Sequence, residues 1–511
     1  MRWIDRAVAW ASPERALRRA RARAALRVLE QAYDGASAGR RTDGWIRPST
    51  SADAELRPAL ARLRNGARDL GRNSPYVSKA LRVIASTAVG TGIRVQLEDD
   101  ALQALFRDWV EQCDAEGQHT FYGMQSVMAR AVPESGEALV RLRPRRLTDG
   151  LAVPLQIQLL EADHLDSSKD GAIAGGGWIS MGIEYNAIGR RVAYWLYPVH
   201  PGESGIASSR RRALVSQRIP AESIVHLFHA LRPGQTRGVP WLAPSMIKAR
   251  DLDDYEDAEL VRKKIEACNV GVVTQPQGTE GPQIGLPRAP ATKPPSDDPQ
   301  QETVRPLRDA DGYAHDHFEP GMFLYATPGQ TVSFNDPKIS AAYAPYVRTQ
   351  LHAIAAGIGV TYQQLTGDLS QASYASGRQG KLEFEALIKE YRWLCLIPAL
   401  SKIIRAFVDT AVLAGRVPEP DYRVKFQPPR FQSVDPLKDS MAKLIDVRSG
   451  FVVWEDAVAE AGYDPDVQLE RIRVTNERLD AAGITLDSDP RRVTRAGASQ
   501  TVDPASLLDK E

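Results

Sequence analysis

The sequence has few cysteines and no long hydrophobic runs. Its 511 residues include only Cys113, Cys268 and Cys395, far apart and without a Cys-X-X-Cys pair. This usage fits a reducing compartment and predicts three small core residues rather than disulfides. No stretch approaches the ~20 apolar residues of a membrane span, and residues 1–29 lack the apolar run and cleavage site of a secretory signal. We therefore expect a soluble protein that is made in the cytoplasm.

Net charge is also nearly absent. The 65 lysine and arginine residues balance 64 aspartate and glutamate residues, so the long-range field of the protein is close to zero. Any electrostatic contact with DNA or a membrane must therefore be local. Lysine is scarce, with 14 residues against 51 arginines. We attribute this ratio to arginine-biased codon usage, and only clustered arginines argue for phosphate contacts.

The motifs of common enzymes are missing. The chain has no GxxxxGK[ST], HExxH or GxSxG sequence and no GxGxxG after a predicted strand. The nearest match, SGRQGKL at 376–382, lacks the first glycine and the Ser/Thr that would bind magnesium. Two histidine pairs could be considered as metal ligands. His226 and His229 would point to opposite faces of a strand, so they could not bind one ion together. His315 and His317 lie in a proline-rich segment. We predict a protein that is not an enzyme and that has no metal and no cofactor.

Hydrophobic periodicity predicts an α+β unit after a basic N-terminal arm. The arm, residues 1–53, is arginine-rich, and its helical part could lie on DNA or on an anionic membrane; a solvated arm is the interpretation we favour. Helical spacing follows over 54–90, with a break at Asn73-Ser74-Pro75, and then over 101–113 and 122–132. The period then changes to two. The predicted strands are 137–142, 155–160, 179–185, 192–198 (with a hairpin turn at 186–189) and 224–228.

The second half of the sequence is predicted to be mostly helical. A helix over 243–268 is acidic early and basic late, as suits the helix dipole. Nine prolines over 275–320 predict an extended loop. A long helix over 381–414 contains Pro398, which predicts a kink near 394–398. The other segments are a helix at 339–359, a polar tract at 366–380, two or three short helices at 436–480 and a disordered tail.

Several short motifs follow one another along the chain. In order they are RDLGRNSPY (68–76), VGTGI (89–93), LEADHL (160–165), GIEY (182–185), GRRVAYW (189–195), HPG (200–202), IVHLF (224–228), RPGQ (232–235), RG (237–238), PW (240–241), TGD (366–368), YAS (374–376) and VDP (434–436). Together they resemble the lambda-type portal proteins of tailed bacteriophages over roughly 50–480. One departure is that KFQPPRF, before VDP, has no tryptophan.

The resemblance implies an α+β portal-type subunit with an α+β wing, a two-helix stem, a small clip, a kinked long wing helix and a helical C-terminal crown. The implied boundaries are 1–53 for the basic arm and linker, 54–242 for the wing, 243–268 for the first stem helix, 269–337 for the clip with its proline-rich loop, 338–360 for the second stem helix, 361–380 for the tunnel loop, 381–435 for the kinked wing helix and return strand, 436–485 for the crown and 486–511 for a disordered tail.

The resemblance also implies the function and the partners. Such a protein forms a ring, usually of twelve subunits, at one capsid vertex of the virion. The ring is the channel for packaging and ejection of double-stranded DNA, which it contacts non-specifically. Its expected protein partners are the terminase large subunit, head–tail adaptor proteins, and the major capsid and scaffold proteins.

Candidate DNA-contacting residues lie in the implied tunnel loop. Arg378 and Lys381 would form a small basic ring when repeated by symmetry, although an ordinary helix N-terminal surface explains them as well. Arg262, Lys263 and Lys264 of the stem could face the channel or bridge to acidic residues of the next subunit. Polar neighbours suited to touching a moving DNA backbone without reading bases are Gln371, Ser373, Tyr374, Ser376 and Gln379.

Two other functions remain open at this stage. One is a nucleic-acid-processing enzyme whose site the sequence does not reveal. The other is a membrane-associated scaffold that uses the arginine-rich arm.

Overall fold

The computed structural model of the chain describes residues 43–203, 215–267, 271–273, 323–325, 343–418 and 423–486 except 434 and 464, together with residues 14, 18 and 40. Most of the basic arm and of the proline-rich segment, the tail from 487 onwards, Cys268, His315 and His317 lie outside the described residues. Contacts divide the chain into two units, residues 1–55 and 56–511. In the first unit, Trp45 is exposed and the Arg47 guanidinium lies 4.6 Å from its ring centre.

The helical start of the second unit follows the predicted pattern. Helices α1 (Ala52–Asn73) and α2 (Pro75–Val89) are separated at Ser74, so the predicted break at 73–75 is confirmed. Pro75 fits the first turn of α2 because that position has no helical partner for an N–H group. The next two helices are α3 (Asp100–Gln112) and α4 (Phe121–Ser135). Asp99 and Thr120 cap them by accepting hydrogen bonds from the backbone N–H three residues on.

Aromatic side chains form the centre of the main core. Phe106, Trp109 and Phe121 pack together, and Phe407 joins them from a helix distant in sequence. All four are buried. The indole N–H of Trp109 donates to the carbonyl of Leu155 at 2.7 Å, so the buried polar group is satisfied. Cys113 and Cys395 are buried free cysteines, as predicted.

Two antiparallel sheets follow these helices. The three-stranded sheet has the order β3-β2-β9, and the five-stranded sheet has the order β4-β5-β6-β7-β8. The strands are β2 (Glu137–Pro144), β3 (Leu155–Leu160), β4 (Gly171–Ala172), β5 (Trp178–Ser180), β6 (Ile183–Tyr185), β7 (Arg191–Leu196), β8 (Gln217–Pro220) and β9 (Ile224–Phe228). One face of β2 packs into the main core, and the other meets a second apolar cluster formed with the five-stranded sheet.

The single strand predicted at 179–185 is wrong, because the chain turns back at Met181 and Gly182. Both residues have positive φ, 45° and 84°, and a Cβ on Gly182 would lie 2.6 Å from the carbonyl oxygen of Asp166. A glycine is needed there, and the tight turn makes two antiparallel strands of the segment. The hairpin turn predicted at 186–189 is confirmed, with the Asn186 side chain accepting from two backbone N–H groups.

Two helices follow the sheets and pack against each other. They are α5 (Met246–Ala267) and α6 (Tyr343–Ile358). The ring of Tyr255 stacks on Tyr343 at 5.8 Å and meets Tyr346 edge-on at 5.0 Å. Between the helices in sequence, β10 (Gly271–Val273) and β11 (Phe323–Tyr325) form a parallel pair.

The long helix after α6 is interrupted where the kink was predicted. After the short helix α7 (Tyr362–Thr366), α8 (Tyr374–Tyr391) runs into a π-helical segment at Arg392–Leu396, and α9 (Ile397–Leu413) continues from it. Pro398 lies in the first turn of α9, where a missing N–H is tolerated. The buried guanidinium of Arg392 donates to the carbonyls of Ala88 and Thr87 at the end of α2.

The C-terminal part returns to the main core and then leaves it. Strand β12 (Val424–Gln427) pairs antiparallel with β1 (Arg94–Leu97). Three helices follow, α10 (Pro436–Arg448), α11 (Trp454–Glu460) and α12 (Pro465–Ala482), and none of them contains a buried residue. Among the described helices, none is long and apolar enough to cross a membrane.

Candidate functional site

The segment 361–380, expected to be a loop, is mostly helical. Thr361 and Gln364 form a capping box at the start of α7, and Gly367, with φ of 82°, ends this helix. Ser373 and Ser376 form a second capping box that starts α8. Because these caps satisfy the free backbone groups of both helices, the chain is non-helical only between them. We name residues 367–373 the inter-helix loop.

The inter-helix loop presents polar side chains to solvent. Gln371 and Ser373 are exposed in it. The carboxylate of Asp368 accepts from the Ser370 backbone N–H at 2.9 Å and from the Tyr362 hydroxyl at 3.3 Å. Hydrogen bonds from Ser370 hold the pKa of Asp368 below its ordinary value. The loop is therefore tied at its base while its tip remains accessible.

The remaining sequence-predicted residues of this segment lie on the first turns of α8 rather than in a loop. Tyr374, Ser376 and Gln379 are exposed, whereas Arg378 and Lys381 are half-buried. The structure brings the whole predicted set together around one helix N-terminus.

Both predicted basic residues form bonds within the subunit. Arg378 donates to Asp439 of α10 at 3.0 Å and to the Tyr374 hydroxyl at 3.3 Å. Lys381 lies 3.6 Å from Glu385 and donates to the carbonyl of Gln432. Hydrogen bonding to Tyr374 and the charge of Asp439 raise the pKa of Arg378. These bonds join α8 to the segment that leads into α10.

Helix α5 carries charges of both signs on an exposed surface. Among its described side chains, only Ala249 and Leu252 are buried. Arg262 pairs with Glu259 of the same helix, and Lys263 and Lys264 are exposed.

Two carboxylates in the first half of α5 instead contact residues at the start of α2. The Ser74 hydroxyl donates to Asp253 at 3.4 Å, and the Tyr76 hydroxyl donates to Glu256 at 3.3 Å. Burial raises the pKa of both carboxyl groups. Burial and the charge of Glu256 also raise the pKa of Tyr76 to about 12. These contacts fix the start of α5 against α2.

A buried ionic cluster positions the segment that leads into α5. Arg237, which is fully buried, donates through Nε to Glu137 at 2.9 Å and through Nη1 to the carbonyl of Met181 at 3.0 Å. The other Glu137 oxygen lies 2.9 Å from His226 Nε2 and accepts from the Gly238 N–H at 3.0 Å. Sequence reasoning missed this role, although Arg237-Gly238 stood among the quoted motifs.

The same cluster explains one of the histidines considered as a metal ligand. His226 bonds to Glu137, whereas His229 lies 3.5 Å from Glu390. The two rings therefore have different partners, and His229 lies just past the end of β9 at Phe228.

Among the described residues, one group has the spacing of metal ligands: Glu161, Asp163 and His200. Two guanidiniums already occupy its carboxylates. Arg64 and Arg68 lie 2.8 and 2.7 Å from Asp163, and Arg68 lies 3.0 Å from Glu161. Because these cations supply the positive charge that a metal would bring, the group is better described as an ion-pair network.

Comparison with known proteins decides the family. The family model described as "Phage portal protein, lambda family" matches residues 38–392. The chain belongs to this family of portal proteins.

Relatives extend the match over almost the whole portal protein. A "Probable portal protein" of Halomonas phage phiHAP-1 is 25% identical over 484 residues, covering 89% of this chain and 88% of the relative. "Portal protein B" of Escherichia phage lambda is 22% identical and covers 88% and 90%. A solved structure, "Neck of native GTA particle computed with C12 symmetry", matches 83% of this chain and 98% of its own at 13% identity, with a TM-score of 0.39.

The function follows from the family. A portal protein is a structural part of the virion at one vertex of the capsid, where its ring is the channel for DNA packaging and ejection. The interpretations as a nucleic-acid-processing enzyme and as a membrane scaffold are therefore wrong.

Proposed function

We propose that twelve copies of this portal protein close into the ring and that double-stranded DNA passes through it without base recognition. Family membership over 38–392 carries the proposal. A head-to-tail interface closes into a ring only when one surface complements another on the same subunit. The exposed charges of both signs on α5 supply such complementary surfaces.

The native mass of the purified assembly tests the copy number directly. We expect one dominant species of twelve chains, stable at moderate salt. A monomer or dimer under every condition, or a ring of another size, would contradict the proposal.

We further propose how the subunit is divided. Residues 54–242 would be the wing, α5 and α6 the stem, residues 269–337 the clip, and α10 to α12 the crown inside the capsid. The clip would meet the terminase large subunit and later the head–tail adaptor proteins, and the crown side would meet the major capsid and scaffold proteins. What supports this division is the element order, with a helix pair that flanks a proline-rich insertion.

The inter-helix loop and the first turns of α8 would line the narrowest part of the channel. DNA must slide through a portal, so its contacts should be polar and weak, without base readout. Gln371, Ser373, Tyr374, Ser376 and Gln379 meet this description and are exposed. Arg378 and Lys381 would add limited positive charge, because each already has an acidic neighbour in its own subunit.

The stem cations would act in one of two ways, which the salt dependence separates. Arg262 is paired with Glu259, and the side chains of Lys263 and Lys264 are exposed to solvent. Ion pairs with the next subunit would make ring stability sensitive to salt. Contacts with DNA phosphates would instead make the retention of DNA in the particle sensitive to salt.

Adding negative charge to the proposed channel surface should weaken its hold on DNA. In the variant Gln371→Glu with Gln379→Glu, the ring should assemble normally, because both side chains are exposed. We expect DNA retention in filled particles to fall at least several-fold, since every subunit adds two carboxylates beside phosphate. The measurement is DNA content per particle after packaging, at several salt concentrations.

A matched variant places the same charges elsewhere. Gln118→Glu with Gln217→Glu changes two exposed glutamines of the wing and should leave DNA content unchanged. If both variants lose the same amount of DNA, or if neither variant loses any, the channel assignment is wrong, while the ring proposal is unaffected.

A further inference from the structure

A row of arginines begins on one face of strand β2, with Arg141 and Arg143, and continues to Arg145, just past the last residue of the strand, Pro144. Arg141, Arg143 and Arg145 alternate with residues of the opposite face, where Val140 is buried in the main core and Leu142 packs against it. Successive side chains on one face of a strand are about 6.6–6.8 Å apart. The arginine face begins where the second apolar cluster ends, at Leu139.

Neutral side chains orient this arginine row. Gln156 and Gln158 stand on the neighbouring strand β3, in register with Arg143 and Arg141. Arg143 donates to Gln158 Oε1 at 3.2 Å, and Arg145 donates to Gln156 Oε1 at 2.8 Å. An amide oxygen positions a guanidinium without neutralising it, so most donors of each fork remain available.

Within the part of the chain that the structure describes, the row has no acidic partner. Among the described ion pairs, none involves Arg141, Arg143 or Arg145, and the neighbouring Arg146 is exposed. Burial lowers the pKa of Arg141, and the charge of Arg143 lowers it further. Like charges that are held close together on a half-buried surface are unfavourable unless an anion covers them.

We propose that the arginine row docks an extended acidic segment of a protein partner, with carboxylates at alternating positions. The side-chain repeat of such a segment equals that of β2, so three carboxylates can meet three guanidiniums in register. The planar fork of arginine accepts each carboxylate in a bidentate geometry. Duplex DNA fits this site less well, because its backbone curves away from a straight row on a flat sheet.

Binding of designed peptides to the assembled ring tests the proposal. The probe is a labelled peptide in which glutamate alternates with threonine over about nine residues. We expect it to bind at least tenfold more tightly than a peptide of the same composition with its glutamates contiguous. A short DNA duplex serves as a third probe, and fluorescence anisotropy at low salt is the readout.

Substitutions distinguish a specific contribution of the arginine row to peptide binding from a general effect of positive charge. The variant with Arg141, Arg143 and Arg145 all changed to Gln should lose about tenfold or more in affinity for the alternating peptide. The control with Arg62, Arg82 and Arg107 changed to Gln removes the same charge from exposed positions and should bind as the wild type does. If the triple variant fails to assemble, Arg143→Gln alone should still lose several-fold.

The other outcomes each overturn the proposal. Equal affinity for the alternating and contiguous peptides would remove the register argument. An equal loss of affinity for the alternating peptide in the row variant and in the control variant would show only a general effect of positive charge. Duplex binding that depends on the row, without peptide binding, would assign this face to nucleic acid instead.

Discussion

Replacing Arg237 with leucine is expected to destabilise the fold of the subunit by about 3–5 kcal/mol, the usual effect of removing one partner of a buried ion pair. Arg237 is fully buried, and Glu137 is 1% exposed. Without the guanidinium, the Glu137 carboxylate keeps only His226 and one backbone N–H group as partners. The carbonyls of Met181 and Ala162 lose their donor in the same step.

Urea unfolding at a fixed protein concentration measures this effect, because assembly also contributes to the stability of a ring. The control Arg82→Leu changes an arginine exposed on α2 and should leave the unfolding midpoint almost unchanged. Since Arg237 also fixes the approach to α5, the variant should assemble poorly. If the unfolding curves of Arg237→Leu and the wild type coincide, the structural role of the cluster is contradicted.

The same cluster predicts that acid destabilises the fold of the subunit. Burial alone would raise the pKa of Glu137, but the charge of Arg237 and the hydrogen bond with His226 outweigh it and hold this pKa well below its ordinary 4.5. Burial lowers the pKa of His226 below its ordinary 6.5, against the partial opposition of Glu137. For both groups the unfolded chain binds protons more readily, so stability falls as the pH falls.

The expected loss therefore begins below about pH 6.5 with His226 and steepens below about pH 4.5 with Glu137. Glu137→Gln should flatten the lower part of the profile, since the amide does not titrate there. The check is the urea midpoint of the wild type and the variant across this pH range. If the urea midpoint falls equally steeply below about pH 4.5 in both proteins, the acid sensitivity comes from other carboxylates.

Local patterns in the sequence predicted most helices and strands, because an element that buries one face has hydrophobic residues at a regular spacing in the sequence. The break at Ser74, the hairpin at 186–189 and the π-helical segment before Pro398 all depend on residues next to one another in sequence. Contacts between distant residues leave no such period. The pairing of Arg378 with Asp439 and of Arg237 with Glu137 spans 61 and 100 residues.

The family resemblance had a similar limit. It identified the portal protein family, but it gave 361–380 as a loop. The two capping boxes, at Thr361 and Ser373, shorten that loop to 367–373. The serines that were read as DNA contacts have a second role, because Ser373 and Ser376 start α8 by bonding to each other and to the backbone.

Helices α10 to α12 should be folded in the ring and largely unfolded in a free subunit. None of them contains a buried residue, and helices of this length are marginal in water without tertiary packing. Their links to each other and to the rest of the subunit include partly exposed ion pairs, which are Arg378 with Asp439, Lys443 with Glu460 and Lys425 with Asp466, and such pairs contribute little. Helix α10 also carries an apolar stripe at helical spacing, with exposed fractions of 41–74%: Leu437, Met441, Leu444 and Ile445.

A neighbouring copy in the proposed ring would cover this stripe and supply the missing burial. Hydrogen exchange of the ring and of subunits dissociated under mild conditions measures the difference. We expect amides of 436–482 to gain at least a hundredfold in protection on assembly, while those of α2 and α9 change little, because these helices are buried within each subunit.

Substitution in the stripe separates packing by the neighbour from an intrinsic preference for helix. Leu444→Asp should abolish the gained protection in 436–482 and leave the ring itself intact, since α5 and α6 would still hold the stem together. The control Lys443→Asp changes the adjacent residue, which is half-buried and pairs with Glu460 outside the stripe, and should keep most of the protection. Full protection of α10 to α12 in the dissociated subunit would mean that these helices fold without a neighbour.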